Sequence, residues 1–433
     1  MNSVIKILNY RFYLKEILIL FFCYFFMEAI FSWIFTPVSV IVQSHLKIAS
    51  FLIYGYMLFF LPKLSSSEKI YVSIVTALLI KLVFESLFKY GTVFQQLTMF
   101  YVLFPVVYTV FIKYVCRTFD LDLLEFVAKF YLITYLVFMA IYGRNFSFSL
   151  EGVGLEDLGP YSGDGRTIHA NSILMMIIPL IWYLHNYLST KKVTSLLIFI
   201  FCCIVILIHQ HRSVWSSAIV AIVVYFVLIM RFNRKTVPKV WGFIFGAIVI
   251  GIFAFVLISN MFPDMTDFFG ARFSEIFDPA QEESTGRFRF EQRETYFKLF
   301  LNRPLFGWTF EGFEMDNPLV DWWPKYSGQH FHESYMEMLF YQGIVGFSVK
   351  FSFLFYLIYK AFSKKLTEQT IVILSFCLSG LIFSFSYVLP LIYWGHVGLC
   401  LYYIEKDDSS DKEKQVEKDQ DAFPRKEQLL LEA

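Results

Sequence analysis

Charge is scarce in this chain: Asp, Glu, Lys and Arg make up 17% of its 433 residues, against about 25% in an ordinary soluble domain. The charges nearly cancel, 37 basic against 36 acidic for a formal +1, so no basic face awaits a phosphate backbone and nucleic acid is not an expected partner. Cysteines are few and badly placed for cross-linking. Cys23, Cys202, Cys203, Cys377 and Cys400 lie inside apolar runs and Cys116 closes one, which leaves neither a disulfide framework nor zinc-site spacing in a long polar loop. The first apolar run follows Lys6, Arg11 and Lys15 but lacks a small-residue cleavage site, so it reads as a retained helix and not as a signal peptide. Internal repeats, low-complexity tracts and a Walker A motif are all missing.

Apolar residues are plentiful: 57% of the chain is hydrophobic and 20% aromatic. That excludes a disordered scaffold and disfavours a soluble enzyme. A transmembrane helix takes about 20 apolar residues. Candidate spans are Ile17–Phe35, Leu46–Leu61, Ile70–Phe88, Phe94–Val115, Leu123–Tyr142, Ile168–Leu188, Val193–Ile208, Ser213–Met230, Val240–Ser259, Gly343–Phe362, Thr370–Leu389 and Leu391–Ile404, the last interrupted by His396 and preceded by Pro390. The expected fold is an all-α polytopic membrane protein of about twelve helices, with a large, partly helical outer loop before the last three.

The Lys/Arg bias of short loops orients it. With a cytoplasmic N-terminus, the inner turns carry Lys63, Lys69, Lys113, Arg117, Lys191, Lys192, Arg231, Arg234, Lys235, Lys239, Lys364 and Lys365, while outer turns hold scattered charges such as Lys47, Lys89 and Arg212. The same alternation exports Gly143–Thr167 and the long segment after residue 259. The expected organisation is a bundle over 1–259, an outer cap over 260–332, a second bundle over 333–404 and a charged cytoplasmic tail over 405–433.

Four outer clusters could carry chemistry. A helical stretch, Thr285–Phe300, places Arg287 four residues before Glu291 and Glu294 four before Lys298, two favourable local pairs. Arg289 and Arg293 are also four apart with like charge, a cost of a few tenths of a kcal/mol unless an anion lies between them. Planar guanidinium donors suit phosphate; a solvated helix whose arginines meet nearby carboxylates is the plainer alternative. The second cluster is Gly328-Gln329-His330-Phe331-His332-Glu333-Ser334-Tyr335. Its two histidines lack further metal partners beyond Glu333 and Glu337, which leaves a single histidine as general base or a membrane-edge histidine that only hydrogen-bonds.

The third cluster, His209-Gln210-His211-Arg212-Ser213-Val214-Trp215, turns between two helices, where an arginine must snorkel or pair. The fourth, Arg166-Thr167-Ile168-His169-Ala170-Asn171, opens a helix whose unpaired N–H groups favour an anion, or is an ordinary helix start. Other charges read as structural. Lys81 and Glu85 neutralise each other one helical turn apart, Asp120 and Asp122 sit where acids favour a helix start, and Glu28 has no obvious partner.

Together these motifs resemble the O-antigen ligase and O-antigen polymerase superfamily of bacterial envelope glycosyltransferases. The resemblance rests on Arg212-Ser213-Val214-Trp215, on Arg289 followed by Pro304-Leu305-Phe306-Gly307, and on His332-Glu333-Ser334-Tyr335-Met336 leading to Gly343-Ile344-Val345-Gly346. It covers roughly Arg166 to Gly346; the rest is similar in hydropathy only. It implies transfer of a glycan from undecaprenyl diphosphate to an acceptor hydroxyl at the periplasmic face of the bacterial inner membrane, with inversion and with neither metal nor cofactor. The implied partners are that lipid-linked donor, a glycan or lipid A-core acceptor, membrane lipids and a polysaccharide chain-length regulator.

By position, the resemblance assigns catalysis to His332, Arg212 and Arg289, and substrate binding to Arg287, Arg293, Arg166, Asn171, His330 and Tyr335. The Gly286-Arg287 dipeptide looks like the family's Gly-Arg pairing, but spacing to Pro304 and the local pairing of Arg287 with Glu291 favour Arg289. Trp308, Trp322, Trp323 and Tyr326 suit either sugar stacking or an interfacial belt. Polymerase and ligase are not separable on these residues. A transporter or flippase for lipid-linked or anionic saccharides is the competing class, although transporters gather polar features at the bilayer midplane and this chain gathers them at one interface.

Overall fold

The computed structural model describes residues 4–7, 10–13, 50–93, 95–142, 170–263, 266, 269–270, 273–274, 285–321, 324–363 and 365–409. The expected first span with Glu28, the interval Gly143–Thr167 with Arg166, and His169, Trp322, Trp323, Lys364 and the tail beyond residue 409 lie outside these residues. Apart from a short antiparallel hairpin, β1 (Val4–Ile7) and β2 (Tyr10–Tyr13), the described chain is helical. The helices are α1 (Ser50–Phe59), α2 (Ser66–Tyr90), α3 (Thr98–Phe119), α4 (Leu124–Tyr142), α5 (Ala170–Leu174), α6 (Ile177–Thr190) and α7 (Val193–Ile208). They continue as α8 (Arg212–Phe232), α9 (Val237–Met261), α10 (Thr285–Asn302), α11 (Thr309–Glu314), α12 (Ser334–Ser363), α13 (Glu368–Phe383) and α14 over 391–409. Six helices among the described residues are long and apolar enough to cross a membrane, and α1, α7 and α13 are shorter apolar helices.

Helix boundaries follow local chemistry. Ser65 and Glu68 form a reciprocal capping box at the start of α2, and Gly91 ends that helix in the left-handed conformation. Within α2, Lys81 reaches Glu85 at 2.5 Å, as the spacing of four predicts. Pro390 precedes α14, where its missing N–H costs nothing. His396 does not interrupt that helix: its Nδ1–H donates to the Ile392 carbonyl at 2.7 Å, so Nε2 accepts from the Tyr131 hydroxyl at 3.1 Å. The last expected span therefore forms a helix, with Tyr393, Trp394 and Cys400 fully buried.

Successive helices reverse direction, and their ends can be paired. At one end Glu68 of α2 meets Arg117 of α3 at 2.9 Å, Asn233 after α8 meets Glu368 of α13 at 2.9 Å, and Arg231 of α8 donates to the Ala361 carbonyl late in α12 at 3.2 Å. At the other end Tyr90 of α2 donates to Glu314 of α11 at 3.0 Å, Tyr135 of α4 meets His209 after α7 at 3.1 Å, and the Ser334 N–H donates to the Ser384 carbonyl at 3.1 Å. The first end carries Lys63, Lys113, Arg117, Lys191, Lys192, Arg231, Arg234 and Lys235; it is the basic end, and the other is the cap end. By contrast α9 stands almost free, with Phe245 71% and Phe253 69% exposed.

Two spans depart furthest from their expected limits, and both departures build the cap end. Helix α13 stops at Phe383, short of Leu389, because residues 384–389 turn their backbone toward Ser334. Helix α12 begins at Ser334 and breaks at Gly343, where φ is 62° and ψ is −163°, a region open essentially to glycine alone. The broken ladder is repaired from outside: Ile344 N–H donates to the Pro304 carbonyl at 2.8 Å, Val345 N–H to the Leu305 carbonyl at 3.2 Å, and Trp308 N–H to the Phe340 carbonyl at 2.8 Å. The Pro304–Gly307 and Gly343–Gly346 motifs are thus two halves of one joint. A Cβ on Gly307 would lie 2.5 Å from the Phe340 carbonyl oxygen.

Candidate active site

The segment Gly328–Tyr335 is held from every side. The Gln292 side chain on α10, only 2% exposed, clamps its middle: Nε2 donates to the His330 carbonyl at 2.6 Å and Oε1 accepts from the His332 N–H at 2.9 Å. Gln329 anchors its beginning. Its N–H donates to the Tyr341 hydroxyl at 2.7 Å, its Oε1 accepts from Tyr296 at 2.6 Å, and its Nε2 donates to the Met315 carbonyl at 2.6 Å. Ser334 fixes the end, its Oγ accepting from the Leu389 N–H at 2.6 Å. A backbone so thoroughly bonded leaves its side chains little freedom, which is what a catalytic group requires.

Three arginines of α10 have three different fates. Arg287 is exposed and donates to Glu291 at 3.1 Å. Arg293 donates from Nε to both oxygens of Glu333 at 3.0 Å and also from Nη2, in fork geometry around a carboxylate only 4% exposed. Those hydrogen bonds raise the pKa of Arg293 further. Arg289 lies over the ring of Tyr387, 5.0 Å from its centroid, and no carboxylate among the described residues pairs with it. Cation–π contact is worth about 0.5–2 kcal/mol, less than an anion offers a desolvated guanidinium.

His332 packs edge-on against Phe288 of α10 at 5.7 Å and lies 4.6 Å from the ring of His330. Desolvation lowers the pKa of His330 and so favours its neutral form. Glu333 and Glu337, the two carboxylates beside the histidines, are committed to Arg293 and Lys350. Among the described residues no group of three His, Cys, Asp or Glu side chains could hold a metal ion. Tyr335 directs its hydroxyl away, donating to the Leu381 carbonyl at 2.7 Å. Its ring joins Phe290, Phe297, Phe347 and Phe385 in an apolar groove of about 490 Å³ beside the Arg293–Glu333 pair.

The structure thus gathers Arg289, Arg293, His330, His332 and Tyr335 between α10, α12 and the 384–389 turn. Arg287 shares the helix but is paired on its exposed side. Arg212 opens α8. That helix runs antiparallel to α13, because its far end meets Glu368, so Arg212 sits at the end of the bundle where α13 gives way to Ser384–Tyr387. The ring of Trp215, one turn on, lies 4.8 Å from that of Phe273, tilted by 33°. Asn171 lies in the first turn of α5, which packs against α8.

The residues not anticipated are Gln292, Gln329 and Tyr387. Gln292 and Gln329 are neutral, and reading the cap by its charges passed over them. The spacing of four from Gln292 to Tyr296 on one face of α10 was the available signal, since both point at the same loop.

Residues 197–351, from α7 to the second half of α12, match the family model described as O-antigen ligase. That range includes Arg212, Arg289, Gln292, Arg293 and the whole 328–335 segment. No curated protein matches the chain.

Proposed function

We propose, from the match of residues 197–351 to the O-antigen ligase family model, that the chain transfers a glycan from an undecaprenyl diphosphate carrier to an acceptor hydroxyl, as an inverting and metal-independent transferase. Glycosyl transfer of the ligase or polymerase type is what the family implies; donor, stereochemistry and residue roles are this reading's own. The acceptor oxygen attacks the anomeric carbon, the bond from that carbon to the diphosphate oxygen breaks, and the acceptor proton passes to His332. The diphosphate leaves with its negative charge met by Arg289 and Arg212, donors set in place before the reaction. Arg293 positions His332 by holding the adjacent Glu333.

The observation that carries this reading is Arg289: a half-buried cation without a carboxylate partner among the described residues, on the same helix as the Gln292 clamp that fixes His332. The basic end of the bundle supports a cytoplasmic placement for that end by the positive-inside bias, and so a periplasmic placement for the cap, with about twelve spans in the inner membrane and both termini inside. Asn171 would extend the donor site from the start of α5, His330 and Tyr335 would border it, and Arg166, outside the described residues, is assigned to donor binding by the resemblance alone. The transporter alternative gains nothing here, since its expected midplane cluster is not where Arg289 and His332 lie.

The test is transfer in vitro. Purified protein given a lipid-linked glycan and an acceptor should lengthen or decorate the acceptor without any ion gradient. His332→Ala, Arg289→Ala and Arg212→Ala should each stop it at normal protein yield; ordinary glycan ladders from His332→Ala cells would overturn the assignment. The banding of surface glycan in a deletion strain separates the two activities. Single repeats on the core indicate a lost polymerase, and bare core with accumulated lipid-linked polymer indicates a lost ligase.

A further inference from the structure

Lys350 is the most deeply buried charge in α12, 2% exposed within a helix apolar enough to span a membrane. An intramembrane cation is expensive and needs a partner. Its partner is Glu337, at 3.4 Å, and its ammonium also lies 5.5 Å from the centre of the Trp394 ring. Glu337 is thirteen positions earlier in the same helix. In a continuous helix those residues would be about 19.5 Å apart along the axis, whereas a lysine and a glutamate side chain together reach about 10 Å. The pair exists only because the chain bends at Gly343, which lies between them.

We infer that the Glu337–Lys350 pair is a strut across the break in α12 and that Lys350 is a positioning residue for the site: it sets the angle of the short lead-in helix that begins at Ser334, and with it the place of His332 and Glu333. Glu333 and Glu337 are one helical turn apart. The first is held by Arg293 from α10, the second by Lys350 from beyond the break, so the lead-in is pinned by charge to two different elements. A buried ion pair is a poor source of net stability and is often no better than apolar residues of like size. Its use here is directional. The catalytic half of this inference rests on the transferase reading; the geometric half does not.

Two measurements test it on the full-length protein. Spin labels at Leu339→Cys and Tyr359→Cys, with the native cysteines replaced, report the distance across the break. Lys350→Met should lengthen it toward the roughly 30 Å of twenty residues in a continuous helix, and Lys350→Arg should keep the original value. In the transfer assay Lys350→Met should lower kcat roughly 10–100-fold with little change in KM, and Lys350→Arg should restore most of it. A distance that Lys350→Met leaves unchanged overturns the strut even if activity falls. A lengthened distance with undiminished kcat overturns the positioning role. Should the unmutated protein transfer no glycan, the transferase reading fails while the distance measurement still decides the strut.

Discussion

The two ends of the bundle handle charge in opposite ways. At the basic end Glu68, 2% exposed, receives Arg117 at 2.9 Å and Lys113 at 3.2 Å, and Glu405 receives Lys113 at 2.7 Å and Arg117 at 3.2 Å. Two acids and two bases close on one another, and nothing is left over. At the cap end the pairs Arg287–Glu291 and Arg293–Glu333 also close, but Arg289 rests on an aromatic ring. A closed network has no call on a ligand, because each charge already has its counterion. An arginine that among the described residues meets a π-system and no carboxylate gains from any anion that arrives. Counting charges in the sequence does not reveal this difference; pairing them in space does.

The sharpest way to break the comparison is to remove the unbalanced charge and, separately, the proposed base. His332→Ala should reduce transfer about 10²–10⁴-fold and Arg289→Ala about 10²–10³-fold, measured as turnover per milligram of purified protein with the unfolding temperature nearly unchanged. If Arg289→Ala retained full turnover while Arg287→Ala lost it, the leftover-charge argument would be wrong and the exposed, paired arginine would be the functional one.

Gly343→Ala should strike next hardest, and through the backbone. An alanine in that conformation costs about 1–3 kcal/mol, and its Cβ would lie 2.6 Å from the Pro304 carbonyl oxygen. Either the helix straightens or the Pro304–Gly307 turn leaves, so turnover should fall together with unfolding temperature. That joint loss sets it apart from His332→Ala, which should lose turnover alone.

The basic end should answer in the reverse manner. Arg117→Ala leaves two carboxylates facing one lysine and should cost about 1–3 kcal/mol, read as a lower unfolding temperature in detergent, with turnover per folded molecule unchanged. Loss of turnover without loss of stability would mean that this network reaches the site after all.

Much of this division was legible in the sequence. Hydropathy placed Val193–Ile208 within its observed bounds, and a spacing of four foretold Lys81–Glu85, Arg287–Glu291 and Lys298–Glu294. The His332 and Arg289 motifs could be singled out because charged residues are conspicuous in an apolar chain. Contacts between elements distant in sequence could not be read. Glu333 meets Arg293 across 40 residues, and the 384–389 turn joins Ser334 across more than 50. Hydropathy also carried α13 six residues too far, since Phe385, Tyr387 and Leu389 are as apolar as the span before them. Their backbone leaves the helix because Ser334 offers it hydrogen bonds, a fact of packing without a local signature.

The smallest expected effect concerns how the cap is fastened. Glu311 on α11 takes a hydrogen bond from Lys89 at the end of α2 and another from Arg303, and together these hold its carboxyl below the usual range against the opposing effect of burial. A carboxylate whose pKa is lowered on folding adds stability above its unfolded value, and that stability is lost as pH falls through the folded one. The junction should therefore be indifferent to pH between about 5 and 8 and loosen only in stronger acid, seen as faster amide exchange in α11. With Lys89 partly exposed the pair is worth no more than about 1 kcal/mol, so Lys89→Gln should move the onset of loosening to higher pH without altering turnover at pH 7. An unmoved onset would show that Arg303 alone holds the carboxylate and that α2 is fastened to α11 through Tyr90 and Glu314 instead of through Lys89.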